Sequence, residues 1–188
     1  MTGGNHSVVL IGANNILLED YGVASGKGNN ITKDYARVHG LEGATDWLYE
    51  DVLSSGKFAV AGDAKISRLS CKGLSTSASY VQITMNAPEI SEIVIPLNTT
   101  VAYKVTCVGA NVDGTQQGMW TAQGIITRGT GDVVVKGNTV TKVYSDSATW
   151  DFLAAAYTPS QSLNLTAHGD AGQTVRWVAT VELTVVKL

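Results

Sequence analysis

The first fifty residues repeat a unit of fourteen residues, and this period constrains the fold more than any other feature of the chain. The copies read VVLIGANNILLEDY, GVASGKGNNITKDY and ARVHGLEGATDWLY. Each copy has a glycine at its fifth position and ends on a tyrosine: Gly12, Gly26 and Gly40, then Tyr21, Tyr35 and Tyr49. A short fixed period is typical of a chain that stacks one small unit on the next.

Each unit has the length of two strands of about five residues joined by two tight turns. Glycine and Asn-Asn pairs tolerate positive φ at turns, and a central glycine beside β-branched residues disfavours a helix. Asn14-Asn15-Ile16 matches Asn29-Asn30-Ile31 with an offset of fifteen, which predicts one loop that is a residue longer. Three such turns bury little surface, so we expect the missing burial to come from the downstream domain or from sister chains.

The runs Ile11–Asn15 and Asp20–Gly26 resemble the left-handed β-roll repeat of trimeric adhesin heads, which also occurs in phage fibres. The resemblance covers residues 7–49 and implies a parallel homotrimer, with residues 1–54 as a trimerising segment. The third copy departs from it at Leu41-Glu42-Gly43, where we expect the roll to end. The alternative is a Gly/Asn-rich β-meander in which the spacing is accidental.

Composition excludes several classes of partner. Charged residues make up only 15% of the chain and the net charge is −3, so no basic surface for nucleic acid or for an anionic membrane is expected. The apolar runs are far shorter than the ~20 residues of a membrane helix. The start, MTGGNHSVV, lacks the pattern of a signal peptide. Taken with this, the resemblance to phage fibres implies a virion protein that is assembled in the bacterial host cytoplasm.

From about residue 58 the pattern changes to longer alternating strands. The clearest is 174–186, where Val175, Trp177, Ala179, Val181, Leu183 and Val185 alternate with mostly polar residues. The other predicted strands are Ile66–Leu74, Tyr80–Met85, Glu92–Ile95, Val101–Val108, Met119–Thr127, Val133–Lys136, Val140–Tyr144 and Leu163–Ala167. Close-spaced strands separated by turn residues predict an antiparallel β-sandwich, jelly-roll-like, over residues 55–188.

Two segments of the predicted all-β fold are less regular. Thr45–Leu53 is predicted as the one short helix, placed where the repeat gives way to the body. Ser147–Ala156 is open between helix and strand, because its three alanines favour a helix while Trp150 and Phe152 fit a strand. Lys136-Gly137-Asn138 is predicted as a turn between two strands.

Three further runs, Ser55–Ala64, Gly124–Arg128 and Gly172–Glu182, resemble segments of bacteriophage tail-fibre and related virion proteins. The resemblance covers residues 55–188 and implies a β-sandwich module that follows an upstream fibrous segment. It departs from the family at Lys65, where glutamine is expected after Gly-Asp-Ala.

No catalytic, cofactor-binding or metal site is predicted. His6, His39 and His168 lie in unrelated segments without the spacing of metal ligands, and His39 occupies a repeat position held by Ile11 and Ser25. The aspartates beside glycine, at 113, 132 and 170, are explained by turn chemistry. Ser25-Gly26-Lys27-Gly28 lacks the spacing of a phosphate loop, and no nucleophile elbow is present. Cys71 and Cys107 are expected as free, buried thiols.

Two features are candidates for binding a sugar. Trp120, beside Gly118 and near two glutamines, is the tryptophan whose exposure would support stacking on a glycan; Trp177 is expected in the core. Loop tips such as Val112–Gly118 are candidates for gripping a host surface glycan.

The sequence therefore predicts a non-enzymatic virion protein, a homotrimeric tail fibre or spike that contacts other virion proteins and a host surface glycan. One alternative is a capsid cement or head-decoration protein, favoured by the short chain that starts almost directly in the repeat. Another is a polysaccharide-degrading tailspike fragment whose catalytic groups lie at a trimer interface.

Overall fold

A computed structural model describes residues 6–85 and 92–188. These residues contain strands and no helix, and so no helix long and apolar enough to cross a membrane. The strands of the N-terminal part are β1 (Val8–Ala13), β2 (Ile16–Leu17), β3 (Val23–Lys27), β4 (Asn30–Ile31), β5 (Arg37–Leu41), β6 (Asp51–Ser55) and β7 (Ala64–Ser75). They are followed by β8 (Val81–Gln82), β9 (Ile93–Val94), β10 (Thr99–Asn111), β11 (Gln117–Arg128), β12 (Val133–Ser145), β13 (Asp151–Tyr157), β14 (Ser162–His168) and β15 (Val175–Lys187).

The chain divides into two compact units. The first contains the described residues up to Leu69, together with Pro96–Val101 and Glu182–Leu188. The second contains the described residues of Ser70–Ile95 and Ala102–Val181. The chain therefore passes from one unit to the other within β7, between Ile95 and Pro96, and within β10 and β15.

The first unit is a β-solenoid of three turns. Strands β1, β3, β5 and β6 pair in parallel, with Ala24 aligned with Val38 and Val38 with Val52. On the other side of the solenoid β2 pairs in parallel with β4, and Asn30 forms a single parallel bridge to Ala44 of the third turn. The solenoid core between these two sheets is small: it comprises Leu17, Ala24, Ile31, Ala36, Val38 and Val52, with Val9 packed against it.

The glycine of each repeat is required by the close approach of successive turns. Gly12, Gly26 and Gly40 have φ values of 143°, 108° and 112°, a region that side-chain-bearing residues rarely adopt. A Cβ on each of them would collide with the backbone carbonyl oxygen of the residue aligned with it on the next turn. The glycine spacing in the sequence is therefore the spacing of the turns.

Two side-chain ladders follow the same repeat. Inside the solenoid the Asn29 N–H donates to Asn15 Oδ1 at 3.0 Å, and the Gly43 N–H donates to Asn29 Oδ1 at 2.9 Å. Outside, Tyr21, Tyr35 and Tyr49 stack with ring centroids 4.8 and 5.0 Å apart. All three tyrosines have positive φ, so the same uncommon backbone conformation accompanies the stacked ring in every turn.

The solenoid is longer than predicted. Residues 45–50 form turns and Asp51–Ser55 is strand β6, so the predicted helix at Thr45–Leu53 is wrong, and the roll does not end at Leu41-Glu42-Gly43. A fourth strand forms there because Val52 continues the buried column and Ser54 takes the place of the repeat glycine. Pairing of this segment with the preceding turn outweighs its local propensity for a helix.

The extra residue that the sequence placed in a loop, from the offset of fifteen, lies elsewhere in the structure. The structure aligns Leu17 with Ile31, fourteen residues apart, because both are buried while Ile16 is exposed. The extra residue is Leu10, where the pairing of β1 with β3 shifts between Val9 and Ile11. It is a β-bulge in the first strand, not a longer loop.

The second unit is also all-β. Its long strands β10, β11, β12 and β15 lie in one sheet, while β13, β14 and β8 form a smaller one, in which β9 also pairs with β14. The predicted alternation of β15 is confirmed, since Val175, Trp177, Ala179 and Val181 are buried. The ambiguous segment Ser147–Ala156 leads into strand β13, which pairs with β14 from Asp151 to Tyr157.

The turn predicted at Lys136-Gly137-Asn138 is wrong, because strand β12 runs through it. Gly137 pairs with Ile125 and Val135 with Ile126, so that Lys136 is the extra residue of a β-bulge. Glycine in a strand interior often marks a bulge, and Gly137 lies directly beside this one.

Candidate functional site

The tryptophan proposed for sugar stacking is not available to a sugar. Trp120 is fully buried and its ring lies 5.5 Å from that of Trp177, which in turn lies 5.5 Å from Trp150. Trp47 is also buried. Because stacking on a glycan requires an exposed ring face, the hypothesis for Trp120 is wrong. Trp177 is in the core, as predicted.

The candidate loop Val112–Gly118 is a tight turn between β10 and β11. The Asn111 N–H donates to the Gln116 carbonyl at 3.1 Å, and the Asp113 carboxylate accepts from both the hydroxyl and the N–H of Thr115. These hydrogen bonds lower the pKa of Asp113. The tip therefore carries an exposed carboxylate at neutral pH; its contact with a glycan stays a prediction.

The three histidines have different surroundings, with His6 and His39 in the first unit and His168 in the second. His6 stacks on Tyr21, and His168 contacts Tyr80 edge-on with ring centroids 4.5 Å apart. No group of three metal-binding side chains occurs in residues 6–85 and 92–188. His39 differs from the other two, because it is surrounded by groups with which an imidazole can exchange a proton.

His39 lies between a hydroxyl and a carboxylate on the outer face of the solenoid. The parallel register aligns Ser25 of β3 with His39 of β5, and Asp51 starts β6 on the next turn. Ser25 Oγ is 2.7 Å from His39 Nδ1, and Asp51 Oδ1 is 3.7 Å from His39 Nε2. We call these three residues the Ser25–His39–Asp51 cluster.

Asp51 has an unusual oxygen for a residue at the surface. Its Oδ1 is shielded from solvent and has no hydrogen-bond partner among the described residues, although the side chain as a whole is 47% exposed. Buried carboxylate oxygens are normally hydrogen-bonded. The His39 imidazole lies beside this oxygen and can supply it with a proton donor.

An open apolar groove of about 530 Å³ begins at His39. Four of its apolar side chains are exposed, namely Leu53, Phe58, Ile66 and Val186, and Phe58 is the most exposed at 79%. The groove lies within the first unit and borders the cluster on the side of the later turns. It can accept a small apolar group held next to the imidazole.

Two other acidic residues of the first unit, Asp46 and Glu50, form ion pairs with lysines. Lys65 Nζ lies 2.6 Å from Glu50 Oε1 and 2.9 Å from Asp46 Oδ2, and Lys187 Nζ lies 2.6 Å from Asp46 Oδ1. Burial opposes ionisation of Asp46, but the two lysines outweigh it and lower its pKa. We call Asp46, Glu50, Lys65 and Lys187 the buried ion cluster; its role is structural.

The cysteines lie in the second unit as free, buried thiols. Burial raises the pKa of both Cys71 and Cys107 to about 12, with Cys71 contributing to the shift at Cys107. We therefore expect neither thiol to react with iodoacetamide in the folded protein at about pH 8, because the thiolate is the nucleophile.

The measurement is mass spectrometry after alkylation with and without denaturant. Two added groups per chain are expected in denaturant and none in buffer. Rapid labelling of either cysteine in buffer would contradict the burial and the raised pKa.

No protein-family model matches the chain, and no match was found among curated proteins. Among solved structures, the chain is similar to a tailspike protein of Acinetobacter baumannii bacteriophage Fri1, a capsular polysaccharide depolymerase, at 8% identity and a TM-score of 0.38. The alignment covers 96% of this chain and 38% of that protein. The Acinetobacter baumannii phage AM24 tailspike protein aligns at 8% identity and a TM-score of 0.32, over 93% of this chain and 40% of its own.

The chain thus spans well under half the length of these two proteins. TM-scores this low do not establish a common fold, so neither similarity assigns an activity to this chain.

Sequence reasoning placed His39 and Ser25 in one repeat column but missed the cluster. The column was visible as a spacing of fourteen residues, and the structure confirms it. Asp51 was missed because it was assigned to a helix, and only strand β6 brings it beside His39.

Proposed function

We propose that this protein is a bacteriophage virion structural protein, a homotrimeric surface fibre or spike of the tail that takes part in host attachment. The virion assignment rests on the resemblances of residues 7–49 and 55–188. The proposed self-association rests on the first turn of the solenoid, where a strand edge is unpaired and apolar side chains are exposed.

The first turn exposes several aliphatic side chains, which would remain in contact with water if the protein were a monomer. Among the residues that the structure describes, strand β1 is at one end of its sheet and pairs with β3 alone. The exposed residues are Val8, Leu10, Ile11, Ile16 and Leu18, with Ile11 at 80% and Leu10 at 60%. Exposed apolar side chains gathered on one turn favour association with another chain, and an open strand edge invites pairing. Association of copies would supply the burial that the small solenoid core lacks.

In this proposal the second unit is the predicted β-sandwich and presents its loops outward. Facing of its two sheets is supported by Trp150, which precedes β13 of the smaller sheet and contacts Trp177 of β15. Attachment then proceeds by binding a host surface glycan through exposed turns such as Val112–Gly118, without cleavage of the polysaccharide chain. Release of reducing sugar from host capsule by the purified protein would contradict this part of the proposal.

Self-association is tested by light scattering on the purified full-length protein. A trimer has three times the 19.7 kDa mass of one chain. Leu10→Lys places a charge in the exposed first turn and is expected to shift the protein towards smaller species by at least about tenfold in its dissociation constant. Val143→Lys, at a residue 56% exposed on β12, is the matched control and is expected to leave the mass unchanged. A stable wild-type monomer at micromolar concentration would refute the assembly.

The place on the particle is tested by electron microscopy of virions labelled with an antibody against this protein. Label at the tail is expected. Label at three-fold positions of the capsid would overturn the tail assignment in favour of a cement or head-decoration protein.

A further inference from the structure

We propose that the Ser25–His39–Asp51 cluster is a hydrolytic site for carboxylic esters with a small apolar acyl group. This activity goes beyond attachment and does not depend on it. The proposal rests on three features of the first unit: the contact between hydroxyl and imidazole, the unpartnered carboxylate oxygen, and the apolar groove that begins at the imidazole.

The first feature places a nucleophile within reach of a base. The 2.7 Å between Ser25 Oγ and His39 Nδ1 is the separation at which an imidazole takes the proton of an attacking hydroxyl. In the tautomer that carries its proton on Nε2, Nδ1 is the acceptor and Ser25 the donor. Both residues lie on paired strands, whose register fixes the contact more firmly than a loop would.

The second feature orients the base and stabilises its charge. Nε2 of His39 points to Asp51 Oδ1, at 3.7 Å, and this oxygen has no hydrogen-bond partner among the described residues. In the tautomer with its proton on Nε2, His39 turns an N–H towards this carboxylate, and the positive charge formed when Nδ1 takes up a proton lies beside the negative charge of Asp51. A base held in turn by a third group is the arrangement of known serine hydrolases, recognised by geometry and not by chain order.

The two imidazole nitrogens face the opposite partners from those in the usual serine-hydrolase triad. Here Nδ1 meets the hydroxyl and Nε2 the carboxylate. Both nitrogens can act as acceptor or donor, so the exchange leaves the proton transfers unchanged.

The third feature selects the substrate. The groove of about 530 Å³ is lined by His39, Gly40, apolar side chains and the polar residues Ser54, Ser55, Lys65 and Thr184, and because most of the surface it offers is apolar it suits an alkyl group. The groove is open to solvent, which leaves room for the alcohol portion of the ester. The substrate class is therefore an ester whose acyl part is small and apolar.

The reaction balances without any co-reactant except water. Ser25 Oγ bonds to the ester carbonyl carbon while its proton passes to His39 Nδ1; the bond from that carbon to the alcohol oxygen breaks, and the alcohol leaves with the proton. Water then bonds to the carbonyl carbon of the acyl-serine and gives a proton to His39. The serine oxygen leaves, takes the proton back, and the carboxylic acid is released.

Hydrolysis of 4-nitrophenyl acetate by the full-length protein tests the activity. We expect Ser25→Ala and His39→Gln each to lower the rate above background by roughly a hundredfold or more, and Asp51→Asn by at least about tenfold. Ser70→Ala, at an exposed serine of β7, is the control and should keep the wild-type rate. A rate lost in His39→Gln but kept in Ser25→Ala would reveal a lone imidazole and overturn the proposal.

Covalent labelling supplies a second readout, which reports the nucleophile directly. Wild-type protein treated with a fluorophosphonate is expected to carry the label on Ser25, located by mass spectrometry of its peptides, and to lose labelling in His39→Gln. Labelling at another serine, or at none under conditions in which the protein is folded, would overturn the proposal. Either result leaves the oligomer and virion tests untouched, so the two proposals fail separately.

Discussion

Gly26→Ala is expected to unfold the solenoid, lowering the free energy of unfolding by roughly 3 kcal/mol or more. Gly26 has a φ of 108°, and an added Cβ would overlap the carbonyl oxygen of Gly40 on the next turn. The backbone cannot retreat without breaking the parallel pairing of β3 with β5, and alanine disfavours the φ value even where space exists. One methyl group therefore acts on both the conformation and the stacking.

The measurement is denaturant unfolding followed by circular dichroism. Gly129→Ala is the matched control, since a Cβ there has nothing within 4 Å, and its effect should stay within about 0.5 kcal/mol of wild type. If Gly26→Ala unfolds at the same denaturant concentration as Gly129→Ala, successive turns do not approach each other through this glycine column.

The solenoid was predictable from the sequence because its constraints repeat. The glycine column and the tyrosine corner are imposed by contacts between identical positions of successive turns, so each leaves a mark every fourteen residues. The fourth strand was not predictable in the same way. Ser54 replaces the glycine there, and Asp46 and Glu50 engage lysines outside the repeat. Contacts specific to one turn leave no period to detect.

The same reasoning explains which parts of the candidate site were visible. Ser25 and His39 share a column, which the period reveals, whereas Asp51 belongs to a neighbouring column and joins them only through the side-chain geometry. Trp120 was misjudged for a related reason. Its neighbours Gly118 and Gln117 suggest a turn, but the gap between β10 and β11 ends at Gln116, and the strand turns the ring inward.

Lys65→Gln is expected to lower the free energy of unfolding by about 3–5 kcal/mol, although glutamine is the residue expected at this position from the resemblance to tail-fibre proteins. The Lys65 and Glu50 side chains are both fully buried. Glu50 also accepts hydrogen bonds from the N–H groups of Asp46 and Trp47 and from the Ser67 hydroxyl. Removing the ammonium leaves the Glu50 carboxylate buried without a cation, which is far costlier than losing an exposed pair.

Two further variants separate the buried charge from the general loss of a salt bridge. Arg68→Gln removes the exposed pair with Glu182, 3.3 Å apart, and should cost less than about 1 kcal/mol because solvent screens it. Lys65→Gln combined with Glu50→Gln restores neutrality, leaves Lys187 paired with Asp46, and should recover more than half of the loss. The amide that Glu50→Gln introduces can accept from the two backbone N–H groups and donate to Ser67. If the double variant is as unstable as Lys65→Gln alone, the lysine acts through its contact with the Trp47 ring, whose centroid is 5.0 Å from Nζ, and not through its pairing with Glu50.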